Sequence, residues 1–148
     1  MTIPRMTVIT LGVADLPRSI AFYRQVFGTA PNANYEGVAF FELPGVWLTL
    51  YPRDKLAEDI SPALDPALDP QTRSFSGITL AHNARSREDV LAIFEHVKAA
   101  GATVVKPPHP TFWGGFSGYF QDLDGYYWEV VWGPMFEFAQ DGALRFRA

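Results

Sequence analysis

The chain has 148 residues, 48% hydrophobic and 19% charged, enough for one ordinary domain or two small fused halves with a real core. Cysteine is absent, which excludes disulfides, thiolate metal knuckles, iron–sulfur centres and a thiol nucleophile. A net charge of −4 and a pI near 5.3 provide no basic stripe for a phosphate backbone, so nucleic acid is not an expected partner. Aromatics are abundant, with 12 Phe, 6 Tyr and 4 Trp against 3 His.

The stretch Met1–Leu11 has no charged start, apolar run and small-residue cleavage site of a signal peptide. No apolar run approaches the ~18 residues of a membrane span. A soluble, cytoplasmic protein without a membrane partner is expected.

Met6–Val13 is a β-branched apolar run and predicts a strand. Asp15 has the chemistry of an N-cap with Pro17 in the first turn, Leu16, Ile20, Tyr23 and Phe27 follow at helical spacing, and Gly28 ends the helix. Val38–Glu42 and Val46–Tyr51 predict two strands around the Pro44-Gly45 turn, with room for a short strand near Ala33–Tyr35. Residues 53–74 follow, with the near-repeat Pro62-Ala-Leu-Asp-Pro-Ala-Leu-Asp-Pro70. Prolines at four-residue intervals oppose a long helix, which predicts an exposed linker; its functional alternatives are a lid over a pocket or an arm on a partner.

The second half repeats the order. Ser76–Ala81 predicts a strand, Ser86 with Asp89 has the spacing of a capping box, and Val90, Ile93, Phe94 and Val97 mark a helix ending at Gly101. Ala102–Lys106, Gly118–Gln121 and Tyr126–Trp132 predict three strands, the last two joined by the hairpin signal Asp124-Gly125. Asp122-Leu-Asp-Gly125 lacks the spaced acidic ligands of a calcium loop and is expected to be a turn. Phe136–Phe146 alternates around Asp141-Gly142 as an extra hairpin. Ile9-Thr10-Leu11 recurs as Ile78-Thr79-Leu80, and Trp47 aligns with Trp128. The expected organisation is thus an α+β fold of two tandem βαβββ modules, about 5–52 and 75–132, with a C-terminal hairpin over 133–148.

Two segments, Leu11-Gly-Val-Ala-Asp-Leu-Pro-Arg-Ser-Ile-Ala-Phe-Tyr23 and Tyr119-Phe-Gln-Asp-Leu-Asp-Gly-Tyr-Tyr-Trp-Glu-Val-Val131, resemble signature stretches of the vicinal oxygen chelate superfamily. That superfamily contains glyoxalase I, extradiol dioxygenases and bleomycin-resistance proteins. The resemblance implies two modules curving into one open barrel-like sheet around a cavity, usually in a homodimer. It also implies that metal-using members would place ligands at Val8, Leu48, Gly77 and Glu129. Three of these four cannot hold a metal through a side chain, so no metal and no cofactor is expected.

Strand parity then describes the cavity. On the Trp47–Trp128 alignment, Leu48 and Leu50 face it with Val8, Thr10 and Thr79, as do Tyr127 and Glu129 from the last strand, while Trp47, Thr49 and Tyr51 pack under a helix. Glu129 is the sharpest candidate. A carboxylate among apolar neighbours is poorly solvated, which suits a general acid or base, a cation-binding group or a protonated hydrogen-bond donor. Its bland alternative is a carboxylate paired with an arginine or facing water. In Pro107–Tyr119, Trp113, Phe116 and Tyr119 are interleaved with glycines, either as a wall that stacks a planar or cationic ligand or as an interface or cap. By parity His82 faces away from the cavity as a structural histidine, with a ligand role open if the strand bulges; His96 faces solvent, and His109 is unplaced. The leading expectation is a binder of a small, partly aromatic molecule. The alternatives are a metal-dependent glyoxalase-like lyase or dioxygenase, or a metal-free acid–base enzyme using Glu129.

Overall fold

The computed structural model describes residues 3, 5–64, 75–76 and 78–148. Gly77 and residues 65–74 of the expected linker lie outside the described residues. The fold is mixed α+β, and the chain divides into two compact units, Met1–Asp69 and Pro70–Ala148. Among the described residues no helix is long and apolar enough to cross a membrane.

In the first unit, β1 (Val8–Val13) leads into α1 (Leu16–Phe27), followed by β2 (Ala39–Phe41), β3 (Trp47–Pro52) and α2 (Arg53–Ile60). The Asp15 carboxylate accepts from the Arg18 amide at 3.0 Å, and Gly28 closes α1 at φ 68°, as the local cap chemistry requires. The sheet order is β1-β3-β2, with β1 parallel and β2 antiparallel to β3. Phe41 meets Phe27 and Tyr23 of α1 at ring-centroid distances of 5.4 and 6.3 Å. Phe41 pairs with Leu48 and Ala39 with Leu50, so Leu48 and Leu50 face α1 as well, buried at 4% and 0% exposure.

The region 53–74 is therefore not all linker. Its first eight residues are α2, which begins immediately after Pro52 and before the proline repeat. A Cβ on Gly12 would stand 3.3 Å from Arg53 Cα and Leu56 Cδ2, so the bare glycine lets α2 lie close on β1. Ala33–Tyr35 forms no strand; a single bridge joins Asn32 to Phe40 instead.

In the second unit, β4 (Leu80–Asn83) precedes α3 (Arg87–Ala100), β5 (Thr103–Pro110), β6 (Phe116–Gln121), β7 (Tyr127–Trp132) and the hairpin β8 (Phe136–Phe138) and β9 (Leu144–Phe146). Ser86 Oγ caps α3 by accepting from the Asp89 amide at 3.0 Å. The order is β4-β7-β6-β5, with β4 parallel to β7 and the other pairs antiparallel. Phe120 stacks on Trp128 at 6.1 Å and meets Phe94 of α3 edge-on, which fixes the helix-side face of this sheet. β5 runs through Pro107, Pro108 and Pro110 at the outer position, with register irregularities on either side of Lys106. Prolines are tolerated at an edge and at bulges because the ladder there misses few donors. The Asp122 carboxylate accepts from the Asp124 and Tyr126 amides at 3.0 and 2.9 Å, confirming a structural turn.

Candidate functional site

The second unit presents the better-defined site. β4 opposes β7 with Ala81 beside Glu129 and Asn83 beside Val131, and this face points away from Phe120 and α3. These four residues floor a pocket of about 390 Å³, walled by Trp113, Met135, Phe136, Leu144 and Phe146. Glu129 is half-buried. Across the antiparallel ladder it faces Tyr119, whose hydroxyl hydrogen-bonds to the carboxylate. Burial raises the Tyr119 pKa above its ordinary value, and the Glu129 charge and hydrogen bond raise it further. The phenol therefore stays protonated as a donor beside the carboxylate, which has lone pairs enough for a pocket occupant as well.

Trp113 is held by a tight turn. The Thr111 amide donates to Gly115 O at 3.0 Å, and the Gly115 amide returns to Thr111 Oγ1 at 2.9 Å. The indole packs against bare backbone: a Cβ on Gly115 would overlap Trp113 Cη2 and Cζ3, and one on Gly133 would be 2.8 Å from Trp113 Cζ3. The opposite wall is the C-terminal hairpin, with Phe136 and Phe146 paired at 5.4 Å. Arg147 fastens it: its amide donates to Met135 O at 2.7 Å, and its guanidinium donates to Pro134 O and Phe136 O at 3.2 and 3.3 Å.

Several expected site residues are elsewhere. Leu48 and Leu50 belong to the α1 core, whereas Thr10 pairs with Thr49 on the opposite face, alongside Trp47 and Phe40, whose rings meet at 6.4 Å. The cause is a one-residue slip in the repeat, because matching Trp47 to Trp128 equates residues on different faces. Superposing the caps Asp15 and Ser86 places Thr10 on Ala81, and the pairing registers then place Thr49 on Glu129. Phe116 lies on the α3 side, under Arg87, which is also 5.2 Å from the Trp132 ring. Thr79 is exposed just before β4. Tyr127 shares the Glu129 face and meets Phe75 edge-on at 6.0 Å.

His82 pairs with Val130 on the α3 side, so the parity reading holds. It counts among the exposed residues of β4, yet its ring is enclosed closely enough for desolvation to lower its pKa, against an upward pull from Asp89. His109 Nδ1 is 3.0 Å from Pro107 O, a local contact. Asn83, Met135, Phe136, Leu144 and Phe146 are pocket residues that the sequence reading misses; alternation in the C-terminal hairpin is a signal for Phe136, Leu144 and Phe146, and Asn83 and Met135 have none.

The family model of the Glyoxalase/Bleomycin resistance protein/Dioxygenase superfamily matches residues 5–130. The chain belongs to this superfamily. Against a metallothiol transferase FosB of Shouchella clausii (strain KSM-K16) it is 28% identical over 132 residues, covering 87% of this chain and 80% of that protein. A FosB of Lysinibacillus sphaericus (strain C3-41) is 38% identical over 50 residues, and the alignment spans only 36% of that relative. A glyoxalase-related enzyme from Fulvimarina pelagi has the same fold at a TM-score of 0.84 with 33% identity, covering 99% of this chain and 100% of that one.

The donor set does not fit the metal that the superfamily implies. The Glu129 face of the second unit supplies one carboxylate, the Tyr119 and Tyr127 phenols, the Ser117 hydroxyl and the Asn83 and Gln121 amides; the equivalent face of the first unit, taken by itself, supplies Val8, Thr10, Trp47, Thr49 and Tyr51. Among the described residues no three His, Asp or Glu side chains gather in a group able to hold a metal ion. A catalytic zinc site takes three protein ligands and magnesium takes oxygen in an octahedron; one carboxylate serves neither.

Proposed function

We propose that the protein binds a small, partly aromatic molecule in the pocket of its second unit, with Glu129 as the polar anchor and no metal. The supporting observation is the single carboxylate, paired across the ladder with Tyr119, in a pocket otherwise lined by aromatic and aliphatic side chains and the Asn83 amide. Apolar walls with a few placed polar groups are the usual make-up of a small-molecule site. The tandem-module barrel, the homodimer and the cytoplasmic setting belong to the same proposal and rest on superfamily membership.

The FosB relatives are metal-dependent by name; the single carboxylate of the pocket lining supports a metal-free reading for this chain. A second reading, metal-free acid–base chemistry, is favoured by the placement of Tyr119 directly across the ladder from Glu129, a donor and an acceptor side by side on one face of the sheet. The test couples equilibrium dialysis against zinc, manganese and nickel with a screen of small aromatics by thermal shift. Ligands that bind the native state alone raise the melting temperature, and Trp113→Leu is expected to weaken them. One tightly bound metal per chain, or a thermal response unchanged in Trp113→Leu, refutes the proposal.

A further inference from the structure

The charge arrangement around the pocket narrows the class of occupant. Among the described residues that line it, Glu129 is the one charged side chain. The nearby guanidiniums are committed elsewhere. Arg147 donates to two backbone carbonyls, Arg85 lies 4.4 Å over the Phe138 ring, and both line a separate pocket of about 290 Å³. No lysine or arginine among the described lining residues neutralises Glu129. A neutral occupant would cover the carboxylate without a counter-charge, and an anionic one would meet it directly; both arrangements cost free energy. Trp113, Phe136 and Phe146 add aromatic surface, whose negative ring faces attract cations.

We propose, resting on the binding reading above, that this pocket takes an organic ammonium: a protonated or quaternary amine carried on an apolar or aromatic body. The nitrogen would sit against the free side of Glu129 and the body against Trp113 and the hairpin wall. A bare metal ion would find too few ligands here, whereas an organic cation brings its own apolar surface and needs one counter-charge.

The test uses three probes of one shape at pH 7: phenethylammonium, 2-phenylethanol and phenylacetate. Binding is followed by tryptophan fluorescence and by thermal shift on the full chain. The ammonium is expected to bind on the order of tenfold more tightly than the alcohol, and the acid is expected to bind most weakly. Glu129→Gln should abolish the preference of the pocket for the ammonium over the alcohol. In the unmodified protein, salt should weaken the ammonium and not the alcohol, a readout independent of how the variant folds. Equal binding of ammonium and alcohol, tighter binding of the acid, or a preference that survives Glu129→Gln overturns the cation inference and leaves the binding reading standing. No response to any probe overturns both.

Discussion

Thr49→Val is the most direct check of the corrected register. Thr49 is 4% exposed in the middle of β3, and its Oγ1 is buried without a hydrogen-bond partner among the described residues. A hydroxyl desolvated without compensation costs about 1–3 kcal/mol. Valine keeps the branched shape, suits a strand equally well and replaces the orphan oxygen with a methyl group. The expected result is a gain of about 1–2 kcal/mol, or a melting temperature higher by about 2–8 °C at this chain length. Thr49→Ser retains the oxygen and deletes a methyl, so it should lose about 1 kcal/mol. Urea unfolding followed by fluorescence and circular dichroism measures both, and a higher midpoint at unchanged slope identifies a true stability gain. A destabilised Thr49→Val with a neutral Thr49→Ser would refute the reasoning, because the hydroxyl would then be making a favourable bond.

Two further outcomes follow from the second unit. Gly115→Ala places a methyl in overlap with Trp113 Cη2 and Cζ3 and 2.7 Å from Trp132 O; overpacking of this kind costs about 1–3 kcal/mol, and displacement of the indole should shift the tryptophan emission and lower probe affinity. The His82 pKa is depressed by desolvation, so the unfolded chain takes up this proton first. Its contribution to stability is present above about pH 6.5 and is lost as pH falls through the folded value. His82→Gln should flatten that part of the pH–stability curve in denaturant titrations between pH 7.5 and 5, and parallel curves for the two proteins would remove His82 as the cause.

What could be read from the sequence was whatever local chemistry decides. Asp15, Ser86, Gly28 and Gly101 bound their helices because caps are settled within a few residues, and Asp122 makes its turn for the same reason. The Glu129 face and the β8–β9 hairpin followed from alternation. The failures were tertiary. Trp47 and Trp128 are the same residue type in different surroundings, one beside Phe40 on the face away from α1 and the other stacked on Phe120 towards α3. Aligning them turned Leu48 and Leu50 outward and Thr49 inward. The predicted strand stops at Lys106, before the prolines of 107–110, yet β5 continues through them because its outer edge and its register irregularities absorb the missing amides. Trp113 and Glu129 were recognised separately; their meeting depends on a turn laid over Gly115 and Gly133, which no spacing rule reveals.

The prolines of β5 also determine where this protein can meet others. A neighbouring strand approaching the outer side of β5 would find no amide donor at Pro107, Pro108 or Pro110, and exposed edges that lack donors resist strand addition. Growth of the sheet by edge-to-edge pairing is therefore disfavoured along residues 107–110 of the second unit. Replacing the three prolines with threonine would restore the donors and turn a protected border into a template for self-association.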